Sequence, residues 1–357
     1  MSTLNQSRKN GKGGVMREKK TTVRDIAQDA GVSIATVSRF LNQDYSAMSD
    51  ATKQRINEVI TERGYVNQKA RMERTVAIVI PTLKDPFFAM TVETVSGDLA
   101  AAGFSVQLCL THDSLEEEER IIRSLLTPAV SGIVYMSTVT SKDNCYEVLK
   151  AKKKPFVVLD SYLSEYNVPA LAFSNGIRGM YTVTKRLLEA GHRQIAYLSG
   201  LRYGMFENHR YQGYINALLD SGIPVNPQLA RFVGFTMEDG ISAFRDLRAS
   251  GESFTAVICE SDPLAAGVYR VCAQEGVSIP GELSVVGFNN STIAEMLEPP
   301  LTSVDQRMEL LSEKAVRMLQ QQINGEALTD RVEKIEPRLV VRNSVRSLNT
   351  GSGKELI

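Results

Sequence analysis

A chain of 357 residues, 43% of them hydrophobic, buries more than one core, which favours two or three domains over one. Its formal charge of +0 is unevenly spread, with 14 Lys and Arg against 8 Asp and Glu in residues 1–74 and 27 against 33 in the remainder. A basic head on an acidic body suits phosphate binding at one end, although a solvated N-terminal tail supplies part of the surplus. No run of 18 apolar residues occurs, and MSTLNQSRKNGKGG lacks the apolar core of a secretory signal, so the expected location is the cytoplasm, without a membrane partner. The cysteines, Cys109, Cys145, Cys259 and Cys272, have neither metal-ligand spacing nor a paired framework and read as reduced structural residues.

Residues 1–20 are polar, basic and glycine-bearing, a composition for a disordered tail, and Met16 is a second candidate start. The stretch 21–42, TTVRDIAQDAGVSIATVSRFLN, then carries small and apolar residues at Val23, Ile26, Ala27 and Ala30, with Thr22 placed to cap and Gly31 to stop a short helix. Gly31-Val32-Ser33 makes a tight turn, and Ser33 is positioned to cap a second helix whose Val37, Phe40 and Leu41 point inward. Its outward residues, Ile34, Ala35, Ser38 and Arg39, suit a DNA major groove; on pattern alone a plain helical bundle fits as well. A third helix starts at Ser49-Asp50, turns Ile56, Val59 and Ile60 inward and ends at Gly64, leaving Thr52, Lys53 and Arg55 available to phosphates. The headpiece so predicted covers 21–66, and polar 67–75 reads as a linker.

From Val76 onward apolar strands alternate with helical stretches: VAIVIP, FSVQLCL, GIVYM and FVVLD, then QIAYLSG, AVIC and SVVGF, with a last helix over about 308–323 and PRLVVRNS closing the core. Repeated strand-helix units predict parallel, doubly wound sheets. Two sets of units imply two lobes, the first about 76–173 and 305–335, the second about 174–304 and 336–345, followed by a tail over 346–357. Ligands of open α/β sheets sit beyond the carboxyl ends of the strands, which draws attention to Lys84, Asp85, Asp160, Ser261, Asp262, Asn289 and Asn290. Strand-end Asp and Asn also cap helices, and Asp262 before Pro263 suits that role.

The block VRDIAQDAGVSIATVSRFLN resembles the headpiece of the lactose-repressor/purine-repressor (LacI/GalR) family of bacterial transcription regulators. DPFF at 85–88, GHRQIAYLSG at 191–200, RYQGYINAL at 210–218, ESDPLAAG at 260–267, LSVVGFNN at 283–290 and PLTSVDQ at 300–306 extend the likeness to the family's effector-binding core, related to periplasmic sugar-binding proteins. The resemblance implies a helix-turn-helix headpiece that contacts DNA through Thr22, Ser33, Ile34, Ala35, Thr36, Ser38, Arg39, Thr52 and Arg55. It implies a hinge at Ala70, Arg71 and Met72, where Met72 and Glu73 stand in place of the expected leucine and the linker is short. It places Asp160, Arg210 and Asn289 in hydrogen bonds to a small effector, with Phe88 and Phe235 packed against it and Ser261 beside them. Asn289 replaces the usual aspartate and removes one negative charge, which opens the site to a sugar acid as well as a neutral sugar.

The expected protein is therefore a dimeric, sequence-specific regulator of a near-palindromic double-stranded operator, controlled by a carbohydrate or sugar-acid effector, with no catalytic residue, cofactor or metal. An enzyme of the same layered class calls for GxGxxG, GxxxxGK[ST] or GxSxG, and none opens a helix here. The three histidines lack HExxH spacing, and His192 in the AGHRQ turn reads as structural. A sugar-binding transport protein needs export and has no use for a basic headpiece.

Overall fold

The computed structural model describes residues 21–41, 45, 48–63, 65, 75–136, 144–160, 168–200 and 209–349. They belong to two compact units, 1–72 and 73–357. In the first, α1 (Val23–Asp29), α2 (Ile34–Leu41) and α3 (Asp50–Glu62) enclose Ile26, Ala27, Ala30, Val37, Ile56 and Val59. Local chemistry fixes each start. Thr22 and Asp25 form a capping box, Ser33 Oγ accepts from the Thr36 amide at 3.0 Å, and Ser49 Oγ accepts from the Thr52 amide at 3.2 Å. Gly31 has a φ of 63°, which lets the chain turn between α1 and α2 without a Cβ penalty.

The second unit holds two six-stranded sheets. The first contains β1 (Thr75–Ile80), β2 (Ser105–Leu110), β3 (Val130–Tyr135), β4 (Phe156–Leu159), β5 (Leu171–Ser174) and β11 (Val332–Ile335), in the order β11-β5-β4-β3-β1-β2, all parallel. The second contains β6 (Ile195–Gly200), β7 (Ala230–Val233), β8 (Ala256–Cys259), β9 (Ser284–Phe288), β10 (Thr302–Asp305) and β12 (Arg338–Val340), in the order β12-β10-β9-β8-β6-β7, with only β12 antiparallel. Central strands are buried on both faces, which is why FVVL and AVIC read as unbroken apolar runs.

Helices cover the sheets: α4 (Pro86–Ala101), α5 (Leu115–Ser124) and α6 (Asn144–Ala151) belong to the first lobe, and α7 (Gly176–Glu189), α8 (His209–Leu219), α9 (Met237–Ala249), α10 (Asp262–Glu275) and short α11 (Thr292–Met296) to the second. Helix α12 (Met308–Asn324) follows a second-lobe strand but buries Met308, Leu311, Ala315, Met318 and Leu319 in the first-lobe core. The chain thus passes between the sheets three times, after Ser174, after Asp305 and after Ile335. The three passages are tied by Asn175 Nδ2 donating to Glu336 Oε1 at 2.9 Å and Arg338 Nε donating to Asp305 Oδ2 at 2.8 Å.

Helix α9 and strands β5, β7, β10 and β11 are absent from the sequence reading. Those strands are four residues long, too short for a periodic signal, and β5, β10 and β11 end where the chain leaves one sheet for the other. Among the described residues no helix is long and apolar enough to cross a membrane.

Candidate functional site

On the headpiece, α2 buries Val37 and exposes Ser33, Ile34, Ala35, Ser38 and Arg39, with Thr36 half-buried. Ile34 is 48% exposed and suited to a thymine methyl in the major groove. Thr22, Ser33, Thr36 and Thr52 are also engaged in the helix caps: Thr22 Oγ1 lies 2.7 Å from Asp25 Oδ2, Ser33 Oγ 2.8 Å from Thr36 Oγ1, and Ser49 Oγ 2.9 Å from Thr52 Oγ1. Each such hydroxyl keeps a lone pair or proton for a phosphate.

The structure gives exposed Arg55 a role within the headpiece that the sequence does not announce. Its Nε and Nη2 both donate to the Ala30 carbonyl, at 2.9 and 2.7 Å, so the guanidinium closes the carboxyl end of α1. A cation satisfying the last carbonyls of a helix is favoured by their unpaired lone pairs and by the helix dipole. Lys53 is likewise engaged, with Asp50 at 2.9 Å and the Tyr45 ring at 5.3 Å. The hinge candidates Ala70, Arg71 and Met72 lie outside the described residues.

In the core, four segments distant in sequence meet at the carboxyl ends of the strands. Asp160 follows β4, Ser174 ends β5, Asn289 follows β9 and Gln306 follows β10. Gln306 Nε2 donates to Asn289 Oδ1 at 2.9 Å and to Asp160 Oδ2 at 3.5 Å, joining the two lobes. Asp160 Oδ1, Ser174 Oγ and Gln306 Oε1 are enclosed yet have no hydrogen-bond partner among the described residues. An enclosed oxygen without a donor is costly, by about 1–3 kcal/mol, so three together mark a place where donors are wanted. Asp160 and Asn289 both adopt left-handed φ, 49° and 97°, the strained backbone that short polar residues tolerate at functional sites.

Burial pushes the Asp160 carboxyl above its ordinary value, and the Arg210 charge, the Gln306 amide and a hydrogen bond from the Ser174 backbone pull it back only partly. Arg210 itself stacks on the Phe288 ring, 4.0 Å from its centroid, and donates to the Glu260 carbonyl at 3.1 Å. The Glu260 side chain is buried and accepts from the Tyr197 hydroxyl. Phe235 lies against the end of β6, where a Cβ on Gly200 would overlap its ring, and its carbonyl accepts from Ser261 Oγ at 3.4 Å.

Ser261, not Asp262, caps α10: its Oγ accepts from the Leu264 amide at 3.3 Å. Asp262 instead receives the Ser291 amide at 2.6 Å, Ser291 Oγ at 2.9 Å and Ser303 Oγ at 2.6 Å, tying the loop that carries Asn289 to β10. Phe88, only 5% exposed, packs within the first-lobe core. The site thus unites Asp160, Arg210 and Asn289, with Phe235 and Ser261 joined to each other beside β6 and α10. Sequence reasoning missed Gln306 and Ser174. His192 is buried, with Nδ1 2.8 Å from Thr255 Oγ1 and Nε2 3.1 Å from the Arg346 carbonyl, and burial lowers its pKa. Both ring nitrogens are used in holding the fold.

A model of the lacI family of bacterial regulatory proteins matches residues 22–68, and one of a periplasmic binding protein-like domain matches residues 184–345. The chain is 29% identical over 339 residues to the HTH-type transcriptional repressor CytR of Escherichia coli strain K12, covering 93% of this chain and 98% of that one. It is 29% identical over 340 residues to the repressor PurR of Glaesserella parasuis, covering 92% and 99%. Among solved structures, the transcriptional regulator CelR in complex with cellobiose is 32% identical with a TM-score of 0.69, covering 91% of this chain and 100% of that chain. The lac repressor dimer bound to operator and an anti-inducer shares the fold at 24% identity, with a TM-score of 0.78 over 92% of this chain and 100% of that one. The exposed α2 face, the two-lobed core and these likenesses together establish that the chain belongs to the lacI family of bacterial regulatory proteins and is a DNA-binding transcriptional repressor.

Proposed function

We propose that this repressor controls carbohydrate-utilisation genes and that a small polyhydroxylated effector, a sugar or sugar acid, binds between the lobes and alters operator affinity. The observation that carries the reading is the group of enclosed, unpartnered oxygens on Asp160, Ser174 and Gln306. Acceptors in that arrangement call for a ligand rich in hydroxyl donors, and the Phe235 ring beside β6 offers an apolar face for its carbon skeleton. Because Asp160 already faces the Arg210 charge, the neutral sugar is favoured over the acid. The cellobiose bound by CelR, and the ribose bound by a LacI-family regulator of Enterococcus faecium that is 25% identical, support the same class.

Closing the lobes on a ligand, or twisting them, changes how two headpieces of a homodimer are spaced, and repression relieved by an inducer is the direction we assign. A single headpiece reads only a few base pairs, so two related by a two-fold axis require a near-palindromic operator. Residues Ile34, Ala35 and Arg39 then meet base edges, while Thr22, Ser33, Thr36, Ser38 and Thr52 meet phosphates. A thermal-shift screen of neutral sugars and sugar acids tests the effector class: a ligand at 100 times its Kd adds about 2.7 kcal/mol. Asp160→Asn should abolish that shift. A ligand without hydroxyls that stabilises wild type and Asp160→Asn equally would overturn the reading.

A further inference from the structure

We propose that the cationic edge of the first lobe, Lys152 and Lys153 with Arg123, contacts the phosphate backbone of the bound duplex, so that the core as well as the headpiece holds DNA. The strands of the first sheet run parallel and begin on one edge, and the chain arrives from the headpiece at that edge, at Thr75. Thr75 pairs in register with Val130 of β3. The Lys154 ammonium donates to the Val130 carbonyl and, at 2.8 Å, to the Thr127 carbonyl, so the lysine run is fastened beside the strand adjoining the linker's point of entry.

Helix α6 descends to this edge and ends at Lys150 and Ala151, and Lys152, Lys153 and Lys154 follow it directly. Lys150 is neutralised by Glu147 and Lys154 is spent on carbonyls, but Lys152 and Lys153 are exposed and make no ion pair among the described residues. Arg123, in the last turn of α5 and four residues before Thr127, is exposed and equally unpaired there. An acid that starts on the same edge, Asp330 before β11, lies beyond β5, on the side away from β1. Residues 75–357 carry 27 cations against 33 anions, so unpaired cations gathered here run against the charge of the body. Ten residues lead from Tyr65 to Thr75, so the covalent tether between the headpiece and this edge spans at most about 35 Å. Phosphate is the partner that such an edge selects, without reading sequence.

The test uses the full chain and a duplex selected by it from a random pool, with affinity measured across a salt series. Each phosphate contact contributes about 0.9 to the slope of log K against log salt, so one contact per protomer of a dimer contributes about 1.8. Lys152→Gln/Lys153→Gln should lower the slope by about that amount or more, and its deficit relative to wild type should shrink about 12-fold between about 50 and 200 mM salt. Arg245→Gln, on an exposed second-lobe helix, is the control for net charge and should leave the slope in place. An unchanged slope in the lysine variant, or an equal fall in the control, overturns the proposal. Should the double variant melt early, Lys153→Gln alone carries the same test with half the change.

Discussion

Replacing Arg55 by lysine separates two roles that the same cation can have in a DNA-binding headpiece. In the structure the guanidinium makes two charge-assisted hydrogen bonds to the Ala30 carbonyl, a bidentate grip that an ammonium cannot reproduce. Losing that grip leaves the end of α1 poorly satisfied, at about 1.5–3 kcal/mol. The headpiece has a small core of six buried residues, so a loss of this size is a large part of its stability. Amide exchange in peptides covering residues 23–62 of the full chain should accelerate about 10- to 150-fold in Arg55→Lys, while the core exchanges as before. In Arg55→Gln, which removes the charge, the salt slope of operator binding should stay unchanged, because no phosphate contact is lost. Unchanged exchange in Arg55→Lys, with a slope reduced by about 0.9 per protomer in Arg55→Gln, would show that Arg55 meets a phosphate and would refute the clamp.

Arg39→Ala should cost about 1–3 kcal/mol in operator affinity and relax one position of the selected site, as read by binding to single-base operator variants; full affinity with intact specificity removes Arg39 from base readout. Asp262 is pushed up to about 6, chiefly by burial and against its serine hydrogen bonds, so the native state holds this proton more tightly than the unfolded chain. The stability it adds is present at low pH and lost as pH rises through about 6; wild type should gain about 1.4 kcal/mol over Asp262→Asn between pH 7.5 and 5, and parallel urea midpoints would contradict this. In the linker Met72 is the sole large apolar residue between Asn67 and Thr75, so central operator bending should be modest and should fall further in Met72→Ala. A sharp bend by circular permutation that survives the substitution assigns the wedge to another residue.

The headpiece was legible because its signals are local: the Thr22, Ser33 and Ser49 caps, the Gly31 turn and the helical spacing of Ile26, Val37 and Ile56 each lie within a few residues of what they determine. Arg55 was not, because a long side chain on a polar helix face folds back on a carbonyl 25 residues earlier, which no periodicity reveals. In the core the long apolar strands declared themselves, whereas β5, β10 and β11 are short and depend on pairings across the chain crossings. Gln306 and Ser174 escaped for the same reason: their place beside Asp160 exists only once residues 160, 174 and 306 have been brought together by topology. Ser261 takes the cap expected of Asp262 because the residue before a helix and the first residue within it are both polar, and only the geometry shows which oxygen meets the Leu264 amide.

Linkage between the core and the headpiece is the central claim, and it is tested most directly by titrating the selected operator with full-length protein at rising concentrations of the sugar that stabilises it most. Saturating sugar should weaken operator binding by about 5- to 150-fold, and saturating operator should weaken sugar binding by the same factor. Operator affinity that stays constant from zero to saturating sugar would contradict the account.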